Sequence, residues 1–92
     1  MKFEWDSEKS LSNKNKHKID FETATSLWED AERIEILAPY PLENRYIMIA
    51  RLGKHHWTAI YTIREGAIRI ISVRRSRKQE KALYEKEKAS QK

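Results

Sequence analysis

The chain reads as an α+β protein with a short N-terminal strand, two helices, a four-stranded antiparallel sheet and a C-terminal helix. Three observations predict this. Apolar residues recur at helical spacing between Ile19 and Trp28; from Glu32 the apolar period changes to two and holds to about Arg74; and Gly53 and Gly66 divide the later part of that stretch at hairpin distances. With 92 residues, one domain spanning 1–92 is expected, its core thin because so short a chain buries only ~60–65% of its unfolded surface.

Each element has a local cause. Phe3-Glu4-Trp5 suits a short strand, and Asp6 is an N-cap for a helix running to about His17. Asp20 caps a second helix carrying Phe21, Ala24, Leu27 and Trp28 on one face, with Ile19 and Ala24 placed as a hydrophobic staple. "RIEILA", "RYIMIARL", "HHWTAIYTI" and "AIRIISVR" read as four strands, with Pro39 and Pro41 between the first two. Gly53-Lys54 predicts a two-residue type II′ hairpin, and Arg64-Glu65-Gly66 a three-residue loop with glycine left-handed. Ser76 and Gln79 have capping-box spacing, opening a third helix to about Lys88 and leaving 89–92 as a frayed tail.

Those loops also predict a register. Leu52 then pairs with His55 and Ile63 with Ala67, which aligns Ile47, Ile60 and Ile70 in one row, flanked by Ile49 and Ile68, as the core layer beneath the helices. The opposite, open face carries the rows Tyr46–Tyr61–Arg69, Met48–Ala59–Ile71 and Ala50–Trp57–Val73, with His55 opposite Arg75. A bulge at Gly66 shifts these pairs by one.

Composition narrows the function. From Arg69 onward there are nine Lys or Arg against three Glu, net +6, whereas residues 1–68 are net −1. A one-sided cationic field suits nucleic acid, an acidic partner or an anionic membrane surface, and a lysine-rich C-terminal helix also serves as a solubilising end. There is no cysteine, so disulfides and thiolate metal sites are excluded and a reducing cytoplasm is the expected setting. No apolar run is long enough to span a bilayer, and the N-terminus lacks a signal peptide's apolar stretch. Glycine-rich phosphate loops, HExxH and GxSxG are absent, and no cofactor is expected. His55 and His56 are adjacent on a strand and point to opposite faces, a poor metal constellation.

What remains is a surface of Arg, Tyr, Trp and His. Single-stranded RNA is bound by such surfaces, since bases stack on aromatic rings while guanidinium groups take the phosphates. The first helix adds a polar stripe of Lys9, Asn13, Lys16 and His17. His17, near a helix C-terminus, is favoured as imidazolium, which suits a general acid or phosphate contact as well as a simple cap for the last carbonyls.

The motifs Phe3-x-Trp5-Asp6-x-x-Lys9-x-x-x-Asn13-x-x-Lys16-His17, Ile19-x-Phe21-x-x-Ala24-x-x-x-Trp28-x-Asp30, Glu43-x-Arg45 and Arg69-Ile70-Ile71-Ser72-x-Arg74-x-x-x-x-x-Glu80-x-x-x-Tyr84 closely resemble the BrnT toxins of bacterial type II toxin–antitoxin systems. The resemblance implies a RelE-like fold, a toxin that cuts RNA and blocks translation, and a ribbon-helix-helix antitoxin, BrnA, that neutralises it and alone contacts operator DNA. A heterotetramer of two toxins and two antitoxins is expected, with no membrane association. Basic residues carry over to Arg64, Arg69, Arg74 and Arg75, with Lys16 and His17 from the N-terminal motif. This chain departs from the family in having Lys18 where glycine usually follows Lys-His, and Val73 where alanine is usual.

The reading is therefore a metal-independent endoribonuclease. Arg64, Arg69, Arg74, Arg75 and His17 are its expected catalytic residues, and Lys16, His55, Tyr61 and Arg77 its expected RNA contacts, with His55 and Tyr61 also candidates for proton transfer. Tyr46, Trp57 and Tyr84 are the expected antitoxin contacts. Two rivals use the same basic face: a module that binds nucleic acid without chemistry, and an interaction protein that docks an acidic partner.

Overall fold

The computed structural model describes residues 1–90, in the order β1 (Phe3–Glu4), α1 (Ser7–His17), α2 (Phe21–Ala24), β2 (Ile34–Ala38), β3 (Arg45–Leu52), β4 (His55–Arg64), β5 (Ala67–Arg75) and α3 (Lys78–Ser90). Ala89 and Ser90 belong to α3 and not to a tail; the rest of the expected frayed tail, Gln91 and Lys92, lies outside the described residues. The α+β class is as predicted, with one change of membership. β1 pairs in parallel with β5, Phe3 opposite Ile68 and Glu4 opposite Arg69, so the sheet has five strands in the order β1-β5-β4-β3-β2.

Of the predicted helix starts, the N-caps at Asp6 and Asp20 form, whereas the capping box falls one residue later than Ser76 and Gln79: the Glu80 carboxylate accepts from the Arg77 N–H at 2.7 Å, and the Ser76 hydroxyl bonds that of Thr58 instead. The Asp6 carboxylate accepts from the N–H of Glu8 at 2.9 Å, and that of Asp20 from Thr23 at 2.7 Å, satisfying donors that a helix start leaves unpaired. α1 ends at Lys18, whose φ of +67° is left-handed and whose N–H reaches the Lys14 carbonyl at 3.0 Å. The helix thus stops as it would with glycine there. The second helix is α-helical only as far as Ala24 and tightens into a 3₁₀ turn over Thr25–Glu29. Thr23 and Thr25 are stiff helix formers, and the Thr25 hydroxyl donates to the Glu22 carbonyl at 2.7 Å, competing with the regular ladder. Phe21, Ala24, Leu27 and Trp28 are buried all the same.

The β3–β4 register is as predicted, from Leu52 opposite His55 to Tyr46 opposite Tyr61, and Gly53 has the positive φ, 63°, that a type II′ turn requires. The next hairpin differs. Its turn is two residues, Glu65 and Gly66, both at positive φ (49° and 80°) as in type I′, and Arg64 pairs with Ala67. Between Tyr61 opposite Ile70 and Ile60 opposite Ser72 the ladder slips again, leaving Ile71 as an extra, bulged residue. Pairs near the turn are therefore displaced by one from the predicted register, and pairs beyond the bulge by two, so that Ala59 faces Val73 and Trp57 faces Arg75.

The buried face is also the reverse of the prediction. Ile19, Phe21, Ala24, Leu27 and Trp28 pack on Met48, Ala50, Trp57, Ala59, Tyr61 and Val73, the side expected to be open; Ile70, expected in the core, is buried with them. β3 is apolar on both faces, with Ile47 and Ile49 on one and Tyr46, Met48 and Ala50 on the other, but on β4 the covered face carries Trp57, Ala59 and Tyr61 and the other His56, Thr58, Ile60 and Thr62; the aromatic face removes more area from water and wins. Ile36, Ile47 and Ile60 line the other side, where α3 covers only the end at His56 and Thr58.

Candidate functional site

A one-residue displacement in a strand flips a side chain to the other face, and a two-residue displacement does not. Arg69 accordingly lies opposite Thr62 and shares its face with Arg64, while Arg75 stays with Trp57. The bulge at Ile71 has a second consequence. Residues 69 and 74 are an odd number apart and would point to opposite sides of an unbroken strand, but with the extra residue Arg74 faces Thr58, on the same side as Thr62. Arg64, Arg69 and Arg74 therefore share one face of the sheet, beside the Ile36–Ile47–Ile60–Ser72 row.

Each of these arginines is held by a carboxylate from another element. Arg64 Nε lies 3.4 Å from Glu43, Arg69 is 2.9 Å from Glu4, and Arg74 makes a fork of two 2.8 Å bonds to Glu80. The Arg74 bonds are the strongest influence on Glu80, whose carboxyl falls to about 2 despite partial burial, helped by the N–H of Arg77 and the Thr58 hydroxyl. Glu80 raises the basicity of Arg74 in return.

At the sheet margin α1 completes the site. It has no apolar stripe and is held by polar bonds. Asn13 donates to the carbonyls of Ile19 and Val73, both at 2.8 Å, and accepts from the Val73 N–H at 3.2 Å, so its amide occupies the edge of β5 beyond the bulge. The Ser10 hydroxyl accepts from the Phe21 N–H at 2.9 Å. Between helix and bulge runs a cleft of about 190 Å³ lined by Lys9, Ser12, Lys16, His17, Ile71 and Ser72. The structure thus brings Lys16 and His17 to the same strand segment that carries Arg69 and Arg74.

The other expected site residues are elsewhere. Arg75 lies over the Trp57 ring at 5.5 Å, and His55 meets the same ring edge-on at 6.5 Å, forming a separate cluster at the end of the helix-covered face. Tyr61, expected on an open face with Arg69, is 4% exposed, packed against Trp28, stacked on Tyr46 at 5.2 Å, and donates its hydroxyl to Glu35. Burial, then that hydrogen bond, pushes its hydroxyl well above the usual tyrosine range, where it stays protonated. Trp57 is buried and Tyr46 half-buried against the same core, so neither has the open face expected of a docking surface. Arg77 is exposed at the start of α3.

A family model described as the ribonuclease toxin BrnT of type II toxin–antitoxin systems matches residues 5–80. The chain belongs to the BrnT family. No curated protein matched significantly. A BrnT toxin is a ribonuclease whose system includes an antitoxin partner, and several residues of the motifs quoted from the sequence prove to be joints of the fold. Tyr84, 1% exposed, donates to Asp30 at 2.8 Å, and the same carboxylate accepts from the N–H groups of Arg51 and Glu32, each at 2.9 Å. Burial raises the Asp30 carboxyl, but these three donors outweigh it and leave it below the usual range. Tyr84 thus ties α3 to the segment after Trp28 and is not available as an outer surface.

Three residues near these side chains were not assigned to the site in the sequence reading of this BrnT chain: Glu4, which holds Arg69; Ser72, which lines the cleft; and Arg45, on the same sheet face as Ile47. Arg45 was within reach, because strand alternation puts it on the face of Ile47, where it pairs with Ala38 of β2. Glu4 and Ser72 depend on β1 joining the sheet and on the bulge, and no local pattern announces either.

Proposed function

We propose that this BrnT toxin is a metal-independent endoribonuclease whose working surface is the face of Arg64, Arg69 and Arg74 together with the Lys16–His17 cleft. The observation that carries the reading is the bulge at Ile71, which turns Arg69 and Arg74 to the same side. RNA supplies its own nucleophile: the 2′-hydroxyl attacks the adjacent phosphate, giving a cyclic phosphate and a free 5′-hydroxyl. The protein must orient the strand, stabilise the extra negative charge and move two protons. Arginines held on a rigid sheet suit the second task, and removing one such group typically costs ~10²–10³-fold in rate. His17 is the imidazole best placed for proton transfer, since it lines the cleft with Ser72, whereas His56 is held by Glu85 at 2.8 Å and His55 sits on the other face. Arg75 and His55, at the strand end, and Arg77, at the start of α3, are assigned to the flanking RNA path.

Loss of RNA then blocks translation and growth in the cytoplasm. The antitoxin is proposed to be of the BrnA-like ribbon-helix-helix type, in a complex of two toxins and two antitoxins, with operator DNA contacted only through the antitoxin. The half-open Ile36, Ile47 and Ile60 row beside the arginines supports its docking there, where it would occlude the site.

The test is incubation of antitoxin-free protein with RNA alone in the presence of EDTA, and in a separate arm with ribosomes in magnesium buffer. Cleavage that leaves a cyclic phosphate is expected, reduced ~10²-fold or more in Arg64→Ala and Arg69→Ala. Arg69→Lys should retain RNA affinity and lose cleavage, because an ammonium lacks the planar fork. Intact RNA in every arm would overturn the proposal.

A further inference from the structure

Beside the arginine face, the connection between β2 and β3 leaves an open cavity of about 640 Å³ lined by Tyr40, Pro41, Leu42, Glu43, Arg45 and Arg64. That size lies within the ~300–1,000 Å³ of small-ligand pockets. Its polar groups are unevenly engaged. Among the described residues Arg45 has no ion pair and its buried Nε has no hydrogen-bond partner, in contrast to Arg64, Arg69 and Arg74. Its guanidinium lies 4.8 Å from the Tyr40 ring centroid, yet Tyr40 is still 52% exposed and the neighbouring Leu42 is 99% exposed. Both hydrogen bonds that Glu43 accepts from Arg64 fall on Oε1, at 3.4 and 3.5 Å, leaving Oε2 unengaged among the described residues.

An exposed ring with an apolar neighbour, a carboxylate edge and a spare guanidinium are what a single-stranded nucleotide uses: base stacked, base edge hydrogen-bonded, phosphate neutralised. The geometry points to a nucleobase subsite here that prefers guanine, resting on the ribonuclease reading above. The guanine N1–H and N2–H are adjacent donors that match the two oxygens of Glu43, Oε2 as it stands and Oε1 once Arg64 exchanges it for a phosphate. Adenine and cytosine offer one exocyclic amine on that edge, and uracil one ring N–H. Tyr40 and Leu42 hold the base, Arg45 takes a phosphate, and the subsite fixes which nucleotide lies next to Arg64.

The subsite is tested by binding, independently of cleavage. The ¹⁵N-labelled chain is titrated with the 3′-monophosphates of guanosine, adenosine, cytidine and uridine, following amide shifts. The guanosine nucleotide should shift residues 40–45 and 64, at least ~10-fold more tightly than the uridine nucleotide, the scale of one good bidentate contact. Glu43→Gln should remove most of that preference and Tyr40→Ala should weaken all four nucleotides, with the remaining spectrum unchanged because both side chains lie outside the core. Equal affinity for the four nucleotides, shifts confined to the Lys16–His17 cleft, or preference unaltered in Glu43→Gln overturns the subsite. Cleavage of RNA with no base preference beside the cut would overturn it too while leaving the ribonuclease reading intact.

Discussion

Lys18 shows how one residue can be wrong locally and tolerated globally. Its φ of +67° is a conformation in which a Cβ is strained, and nothing there requires a long cation: Lys18 Nζ reaches only the Asn15 carbonyl, at 3.5 Å on the surface. Lys18→Gly should therefore stabilise the protein by about 1 kcal/mol, read as a raised denaturation midpoint, without altering cleavage. A destabilised variant would mean that the Lys18 side chain has a role the geometry does not reveal. Asn13 is the opposite case. A sequence reading groups it with Lys9, Lys16 and His17 as a polar stripe, yet its amide satisfies three backbone groups and aligns α1 beside the bulge. Its neighbours on the helix are displayed because Asn13 is not.

At the scale of elements, the Glu65-Gly66 turn and the tether of α3 each carry a prediction. A type I′ turn needs positive φ twice, and Glu65 adopts 49° where asparagine is favoured. Glu65→Asn should stabilise by about 0.5–1 kcal/mol, seen in thermal melts. α3 is tied down by Glu80 and Tyr84, and the tie is sensitive to acid. The Glu80 carboxyl falls from its ordinary 4.5 to about 2 on folding. A depressed carboxylate contributes stability that is full above about pH 4.5 and is lost as pH falls toward 2. Unfolding measured between pH 7 and 2.5 should show this loss in the wild type. In Glu80→Gln the protein should be less stable at pH 7 by about 2 kcal/mol and converge on the wild type in acid, because the charge-assisted fork is then absent from both. Parallel profiles would show that the fork does not hold the helix.

For the whole molecule, the excess positive charge of the C-terminal quarter is partly answered by the rest of the chain. Glu4 from β1 reaches Arg69, and just before that quarter Glu43 from the segment preceding β3 reaches Arg64. A polyanion must exchange those partners, so affinity for single-stranded RNA should depend strongly on salt. With Arg64, Arg69, Lys9 and Lys16 each meeting a phosphate, the slope of log K against log salt is about −3, from about −0.7 per contact. A slope near zero would place the RNA elsewhere. The isoleucines beside these arginines give the same face an apolar component, which suits a protein partner as well as a nucleic acid.

Much of this molecule is legible in residue order. Helix starts at Asp6 and Asp20, strands where the period falls to two, the Gly53 turn and the β3–β4 register all follow from interactions within a few residues, and the spacing of the N- and C-terminal motifs suffices to indicate the BrnT family. Those are local effects, and local effects are written locally. The tertiary structure alone decided that β1 joins the sheet beside β5, that the aromatic face lies beneath the helices, and that a bulge at Ile71 turns Arg69 and Arg74 to the same side. Each is a competition between alternatives of similar local energy: an isoleucine-bearing or an aromatic sheet face, a two- or three-residue turn, a continuous or a bulged strand. Only packing against distant residues separates them, through burial of Trp28, Trp57 and Tyr61 and through the pairing of Asn13 with Val73.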